Sequence, residues 1–173
     1  MRIQLESVKR IGRKIGLNEE KGYAVAIFLS LIIVSATVIG YYVVFKPQAE
    51  PYNTIYLLDS HKKAVDYPEV LVANQNSTFN VFVTVENHVG QPARYQVQVK
   101  ITKNLSGTFP VDVQVGQTYE INSLNDGKIW EKMAIISQNE VGSYWVVFEL
   151  WQNKDGVMEF TQDYCVLPIQ VIN

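Results

Sequence analysis

Two histidines, His61 and His88, and one cysteine, Cys165, are all the chain offers for imidazole or thiolate chemistry. His61 sits in Ser60-His61-Lys62-Lys63, which reads as a solvated loop. His88 falls in Asn87-His88-Val89-Gly90, which reads as a hairpin turn where Asx or left-handed backbone is favoured. No nucleophile elbow of the G-x-S-x-G type surrounds Gly107, Gly116 or Gly142, and there is no phosphate-cradling glycine loop or dinucleotide fingerprint. The acids Asp59, Asp66 and Glu69 lie close in sequence, but they lack the spacing of an EF-hand calcium loop and read as a solvated loop. A single cysteine excludes an intrachain disulfide and any multi-cysteine metal centre. Cys165 alternates onto an apolar strand face and reads as a small buried hydrophobe. The sequence therefore assigns no catalytic residue, metal, cofactor or small-molecule substrate, and the chain is not expected to be an enzyme.

Three other groups of residues stand out. Asn76-Ser77-Thr78 and Asn104-Leu105-Ser106 are N-x-S/T acceptors for glycosylation, both at predicted strand ends or loops. Along Ser143–Trp151, alternation that puts Val146, Phe148 and Leu150 inward puts Trp145, Val147, Glu149 and Trp151 outward. The opposite register would bury Glu149, at a cost of several kcal/mol if unpaired (about 2–7 for a neutral polar group, more for a charge). An outward face carrying Trp145, Val147 and Trp151 is predicted to contact a partner protein or lipid headgroups, with Met158 and Phe160 as a possible extension. The competing reading is that a second layer or loop covers these rings. Tyr23, Tyr41 and Tyr42 flank an apolar block, where amphipathic rings favour the bilayer interface.

That block, Gly22 to Phe45, contains no charged residue over 24 positions. As a helix it is about 36 Å long, enough to cross the ~30 Å hydrocarbon core. It is longer than the apolar region of a secretory signal, and no small-x-small cleavage pattern follows it, so a retained anchor is predicted over 22–45. Residues 1–21 hold six basic side chains against three acidic ones, which places the N-terminus in the cytoplasm and the remainder outside. Within 1–21, Val8, Ile11 and Ile15 form a short apolar stripe, predicting an interfacial amphipathic helix. The lipid surface accounts for these cations without nucleic acid.

Residues 46–51 carry two prolines and read as a linker. From 52 to 173 the pattern changes to alternation. In Thr78–Glu86, Phe79, Val81, Val83 and Val85 share a face; in Tyr95–Ile101, the odd-numbered residues do. Strands are predicted near 54–58, 69–73, 78–87, 94–103, 110–121, 129–136, 143–152, 157–161 and 164–172. Turn signals fall at Asn125-Asp126-Gly127 and Asn153-Lys154-Asp155-Gly156. The predicted architecture is a single transmembrane helix plus an all-β domain, an immunoglobulin-like antiparallel β-sandwich of about seven to nine strands. With 47% hydrophobic residues, the chain has enough apolar material for a core in this domain.

The blocks Tyr52–Asp59, Lys63–Pro68, Asn76–Val81 and Val85–His88 resemble an archaeal family, the domain-of-unknown-function family numbered sixteen-sixteen. Asn125–Glu131, Gly142 and Phe148–Trp151 resemble it as well, so the likeness spans roughly 50–172. The resemblance implies an archaeal membrane-anchored protein with its sandwich outside the cell, and no catalytic residues. Many members have several spans before the sandwich, whereas this chain has one. The functional expectation is a non-catalytic accessory or structural subunit of a larger membrane complex, whose sandwich docks other membrane subunits. The alternative is a free-standing envelope protein, an adhesin or a surface-layer-associated binding module.

Overall fold

A computed structural model describes residues 19–44 and 50–173, which form two separate compact units. Of the predicted amphipathic segment 1–21, residues 1–18 lie outside the described residues, as do 46–49 of the linker, and residues 19–21 belong to the helix. The first unit contains helix α1, Glu19–Val44. Its 23 residues from Gly22 to Val44 are long and apolar enough to cross a membrane, and none of its most apolar stretch is buried. Two of its mid-helix hydroxyls, those of Ser30 and Thr37, are satisfied within the helix. Ser30 Oγ donates to the Ala26 carbonyl and Thr37 Oγ1 to that of Ile33, each at 2.8 Å. Such i−4 bonds spare these two hydroxyls the need of a water partner. Tyr23, Tyr41 and Tyr42 are exposed near its two ends, and the last two meet edge to face at 6.0 Å.

Eight strands make up the second unit: β1 Tyr52–Leu58, β2 Val70–Val72, β3 Thr78–His88, β4 Ala93–Thr102, β5 Val115–Leu124, β6 Lys128–Ser137, β7 Gly142–Lys154 and β8 Val157–Ile172. They form a three-stranded sheet ordered β1-β3-β6 and a five-stranded sheet ordered β2-β8-β7-β4-β5. One apolar core lies between the sheets, which makes the unit a β-sandwich. Val81, Val83 and Val85 of β3 meet Val97 and Val99 of β4 and Val146, Phe148 and Leu150 of β7 in it. Period two in the sequence is therefore core-facing alternation, as predicted for these strands. Polar bonds also cross the gap between sheets. Tyr95 OH donates to Asn53 Oδ1 at 2.6 Å, and Cys165 Sγ to the Ile55 carbonyl at 3.4 Å.

Several expected features take another form. The segments 157–161 and 164–172 are one strand, β8, carrying a bulge opposite Leu150. Thr161 Oγ1 donates to the Leu150 carbonyl at 2.9 Å and accepts the Asp163 N–H at 3.2 Å, which carries the ladder through the irregularity. β2 pairs with β8 in parallel, so the sheet is mixed rather than purely antiparallel. The Asp155-Gly156 pair makes the expected tight hairpin, with both residues at positive φ (54° and 92°), the conformation of a type I′ turn.

Asn87–Pro92 is not a hairpin, because β3 and β4 belong to different sheets. It is an arch, fastened by buried Asn87. The Asn87 amide donates to the carbonyls of Gln91 (2.8 Å) and Leu124 (2.6 Å), while its oxygen accepts the Val89 N–H (3.0 Å). Gly127 N–H returns to the Asn87 carbonyl at 2.7 Å, so this arch and the one joining β5 to β6 hold each other. His88 ends β3, stacked on Tyr52 at 4.6 Å with Nε2 3.2 Å from Glu86 Oε2.

The loop after β1 is organised by Asp59. Its buried carboxylate accepts the backbone N–H groups of Lys63 (2.7 Å) and His61 (2.8 Å). The bond from Lys63, with the one from His61 behind it, holds this acid below its ordinary value of 3.8. A lowered carboxyl contributes stability above its unfolded value and loses it as pH falls through the folded one. The protection factor of the Lys63 amide against hydrogen exchange should therefore fall on acidification below the ordinary carboxylate range. Asp59→Ala should be unprotected at neutral pH and lack the acid step; an unchanged step in that variant would refute the assignment.

Candidate partner-binding face

The outer face of the five-stranded sheet should carry Trp145, Val147, Glu149 and Trp151, and the register of β7 places all four there. Val146, Phe148 and Leu150 face the core between them. This face is nevertheless largely covered. Residues 103–114, between β4 and β5, run as a strap over β7 and reach β8, where the Phe109 ring stacks on Tyr164 at 3.6 Å. Val147 and Glu149 have no exposed surface beneath it. Val147 is thus not available to a partner, which corrects the sequence expectation.

Glu149 is outward in register yet buried, and the reason is a partner invisible in its own strand. Lys100 on neighbouring β4 places Nζ 2.8 Å from Glu149 Oε2, and both side chains are buried. Lys100 Nζ also donates to the Val111 carbonyl at 2.8 Å, and the Val111 N–H donates to Glu149 Oε1 at 2.5 Å. One backbone residue of the strap is therefore gripped by both charges. Trp151 closes the cluster: its indole N–H lies 3.3 Å from Glu149 Oε2, and its ring lies 5.9 Å from Lys100 Nζ. Trp151 is half-buried and packs on Phe160 at 5.6 Å. Its polar atom serves the ion pair, so it belongs to the latch holding the strap.

Trp145 lies beyond the strap. It is half-exposed and lines a shallow cleft of about 340 Å³ with Val70, Tyr144 and Pro168. Val70 is about half exposed, and Glu69 and Gln170 supply a polar edge. Of the three residues expected to meet a partner, Trp145 is the one left on an open apolar rim. The sequence reading missed Val70 and Pro168, which neighbour Trp145 only through the pairing of β2, β8 and β7.

The remaining chemistry-bearing residues stay apart. Among the described residues no three His, Cys, Asp or Glu side chains are placed to hold a metal ion. Asp59 serves its own loop, Asp66 is exposed, and Glu69 lies in the Trp145 cleft. Cys165 is partly buried against the core, and burial pushes its thiol up to about 11, away from thiolate reactivity. The Glu86 carboxyl lies below its ordinary value because His88 and Tyr56 hydrogen-bond to it. Asn76 and Asn104 are both exposed, in the turn after β2 and at the start of the strap.

The second unit is thus a β-sandwich with one strapped face, in a chain that also carries a long apolar helix. No family model and no curated protein matches the sequence. Among solved structures, the chain is similar to a CARDB domain from Pyrococcus furiosus, crystallised in complex with di-metal ions. That pair is 15% identical over 71% of this chain and 90% of that one, with a TM-score of 0.46. It is also similar to a β-glucosidase from Listeria innocua in complex with glucose, 11% identical over 72% of this chain and 16% of that one, TM-score 0.47. A GH3 β-glucosidase from Bifidobacterium adolescentis gives 14% identity over 69% and 17%, TM-score 0.40. The chain therefore aligns with only a small part of each glucosidase.

The latch makes a quantitative prediction. Glu149→Ala or Lys100→Ala alone leaves one charge buried without its partner and should cost roughly 3–5 kcal/mol in chemical denaturation. Either should also open the strap to trypsin at Lys103. The double variant Lys100→Met/Glu149→Leu should regain a large part of that loss. Additive losses in the double variant would mean that the two side chains act independently.

Proposed function

We propose that this chain is a membrane-anchored, non-catalytic docking subunit of a larger membrane complex. In this reading α1 spans the bilayer, residues 1–21 lie in the cytoplasm, and the sandwich lies outside, where Trp145 with Val70 and Pro168 meets another subunit. The observation that carries it is the 23-residue apolar stretch of α1, unburied along its most apolar window, in a chain whose other unit is a self-contained sandwich. The excess of basic residues before α1 supports the orientation. The strand order supports an immunoglobulin-like reading, with β1-β3-β6 as strands A-B-E and β2-β8-β7-β4-β5 as A′-G-F-C-C′. Folds of this kind host many functions, so the docking role rests on the apolar rim rather than on the fold. The resemblance over residues 50–172 to the family numbered sixteen-sixteen adds an archaeal surface location. Glycans on exposed Asn76 and Asn104 would keep those two edges clear of partners and leave the Trp145 rim open.

The test is a blue native gel of membranes solubilised in mild detergent. The chain should migrate well above its 19.7 kDa monomer. Trp145→Ala should release it to monomer size with an unchanged melting temperature, since a central contact tryptophan contributes roughly 2 kcal/mol or more to binding. Migration of the unaltered chain only as monomer or dimer would favour a free-standing envelope protein. Glycan use reports orientation independently: Asn76→Gln and Asn104→Gln should each lower the apparent mass. Unmodified peptides at both sites would remove the glycan claim.

A further inference from the structure

At the end of the sandwich where β1 begins and the β7–β8 hairpin starts, a second cleft of about 440 Å³ opens. Its size falls within the ~300–1,000 Å³ of small-ligand sites. Four carboxamides line it: Asn53 of β1, Gln91 of the β3–β4 arch, Gln152 of β7 and Gln162 of β8. The oxygen of Asn53 is taken by Tyr95 OH, and its amide nitrogen makes no hydrogen bond among the described residues. The side chains of Gln91, Gln152 and Gln162 make none there either. Each carboxamide is uncharged and presents donors and an acceptor. The one pair of charges in the lining, Lys154 and Glu159, is closed on itself at 3.1 Å. Half-buried Phe160, backed by Trp151, adds an apolar ring.

Gln162 gives a second, independent reason to look here. Its φ is 72°, in the left-handed region where a glycine or asparagine is the less strained choice. The bulge that imposes this conformation is pinned on either side by Thr161. A glutamine held there against its backbone preference lines the cleft. Strain kept at a position lining a cavity is the pattern found at ligand sites.

We propose that this cleft binds a carbohydrate, a neutral pyranoside of one or two rings. A sugar hydroxyl both donates and accepts, which matches the carboxamides, and the C–H face of a pyranose packs on an aromatic ring such as Phe160. The self-neutralised charge disfavours an anionic or cationic ligand. This inference is independent of the Trp145 docking rim and holds for a complex subunit and a free-standing protein alike.

The experiment is saturation-transfer NMR on the full chain in a detergent without a sugar headgroup. Maltose, cellobiose, chitobiose and mannobiose are offered one at a time. Transfer to the ring protons of at least one is expected, weakened by about tenfold or more in Gln152→Ala and in Gln162→Gly. Gln162→Gly relieves the left-handed backbone, so its melting temperature should stay level or rise. Loss of binding with that stability intact assigns the glutamine side chain to the ligand. No transfer to any of the four sugars overturns the proposal, and so does binding that persists in both variants.

Discussion

A carboxylate with no exposed surface, at the middle of the central strand β7, sets the terms for the five-stranded sheet. Glu149 is compatible with folding only because Lys100 lies beside it on β4 and Val111 offers both its N–H and its carbonyl. Removing charges from water is expensive, and their attraction offsets that cost only when the remaining donors and acceptors are also matched. The strap 103–114 supplies the match. The connection between two adjacent strands, β4 and β5, therefore detours across β7 to reach Tyr164 on β8.

Covering the middle of that face determines what remains for recognition. The two outward indoles are separated in role by the strap. Trp151 is drawn into the latch through its N–H, while Trp145 stays on the rim beyond. Two of the open features on the sandwich differ in chemistry. One is an apolar rim built by β2, β7 and β8; the other is a carboxamide-lined cleft at the end where β1 begins. An apolar rim gains from excluding water, and so suits another protein surface. A cleft of uncharged donors and acceptors gains from matched hydrogen bonds, and so suits a small polar ligand.

What could be read from the sequence was whatever depends on period alone. β3 and β4 show strict alternation because each packs one face on the shared core, and their bounds agree closely with expectation. The start of β5 was misread for a physical reason. Val111-Asp112-Val113-Gln114-Val115 alternates like a strand, but Pro110 before it has no N–H, the Val111 N–H goes to Glu149, and the Val113 N–H turns back on the Val111 carbonyl at 3.0 Å. Alternation also placed Glu149 outward correctly. It had no means of distinguishing an outward carboxylate in water from one under a strap, because the covering residue lies 38 positions away. The carboxamide cleft was illegible for the same reason, since its four amides come from strands and an arch spread between residues 53 and 162.

The division of the first strand segment between the two sheets has a mechanical consequence. β1 joins the smaller sheet antiparallel to β3, while β2, a dozen residues later, joins the larger sheet parallel to β8 at the chain's end. Tension between the two ends of the sandwich would draw both segments toward the N-terminal end, so β1 would be dragged along β3 and β2 along β8. The bonds of the parallel pair, flanked by Gln170 N–H to Glu69 and Ala73 N–H to Ile172, would be loaded together rather than one at a time. The leading segment is thus fastened to both sheets, and neither sheet can be drawn away from the other without breaking one of these ladders.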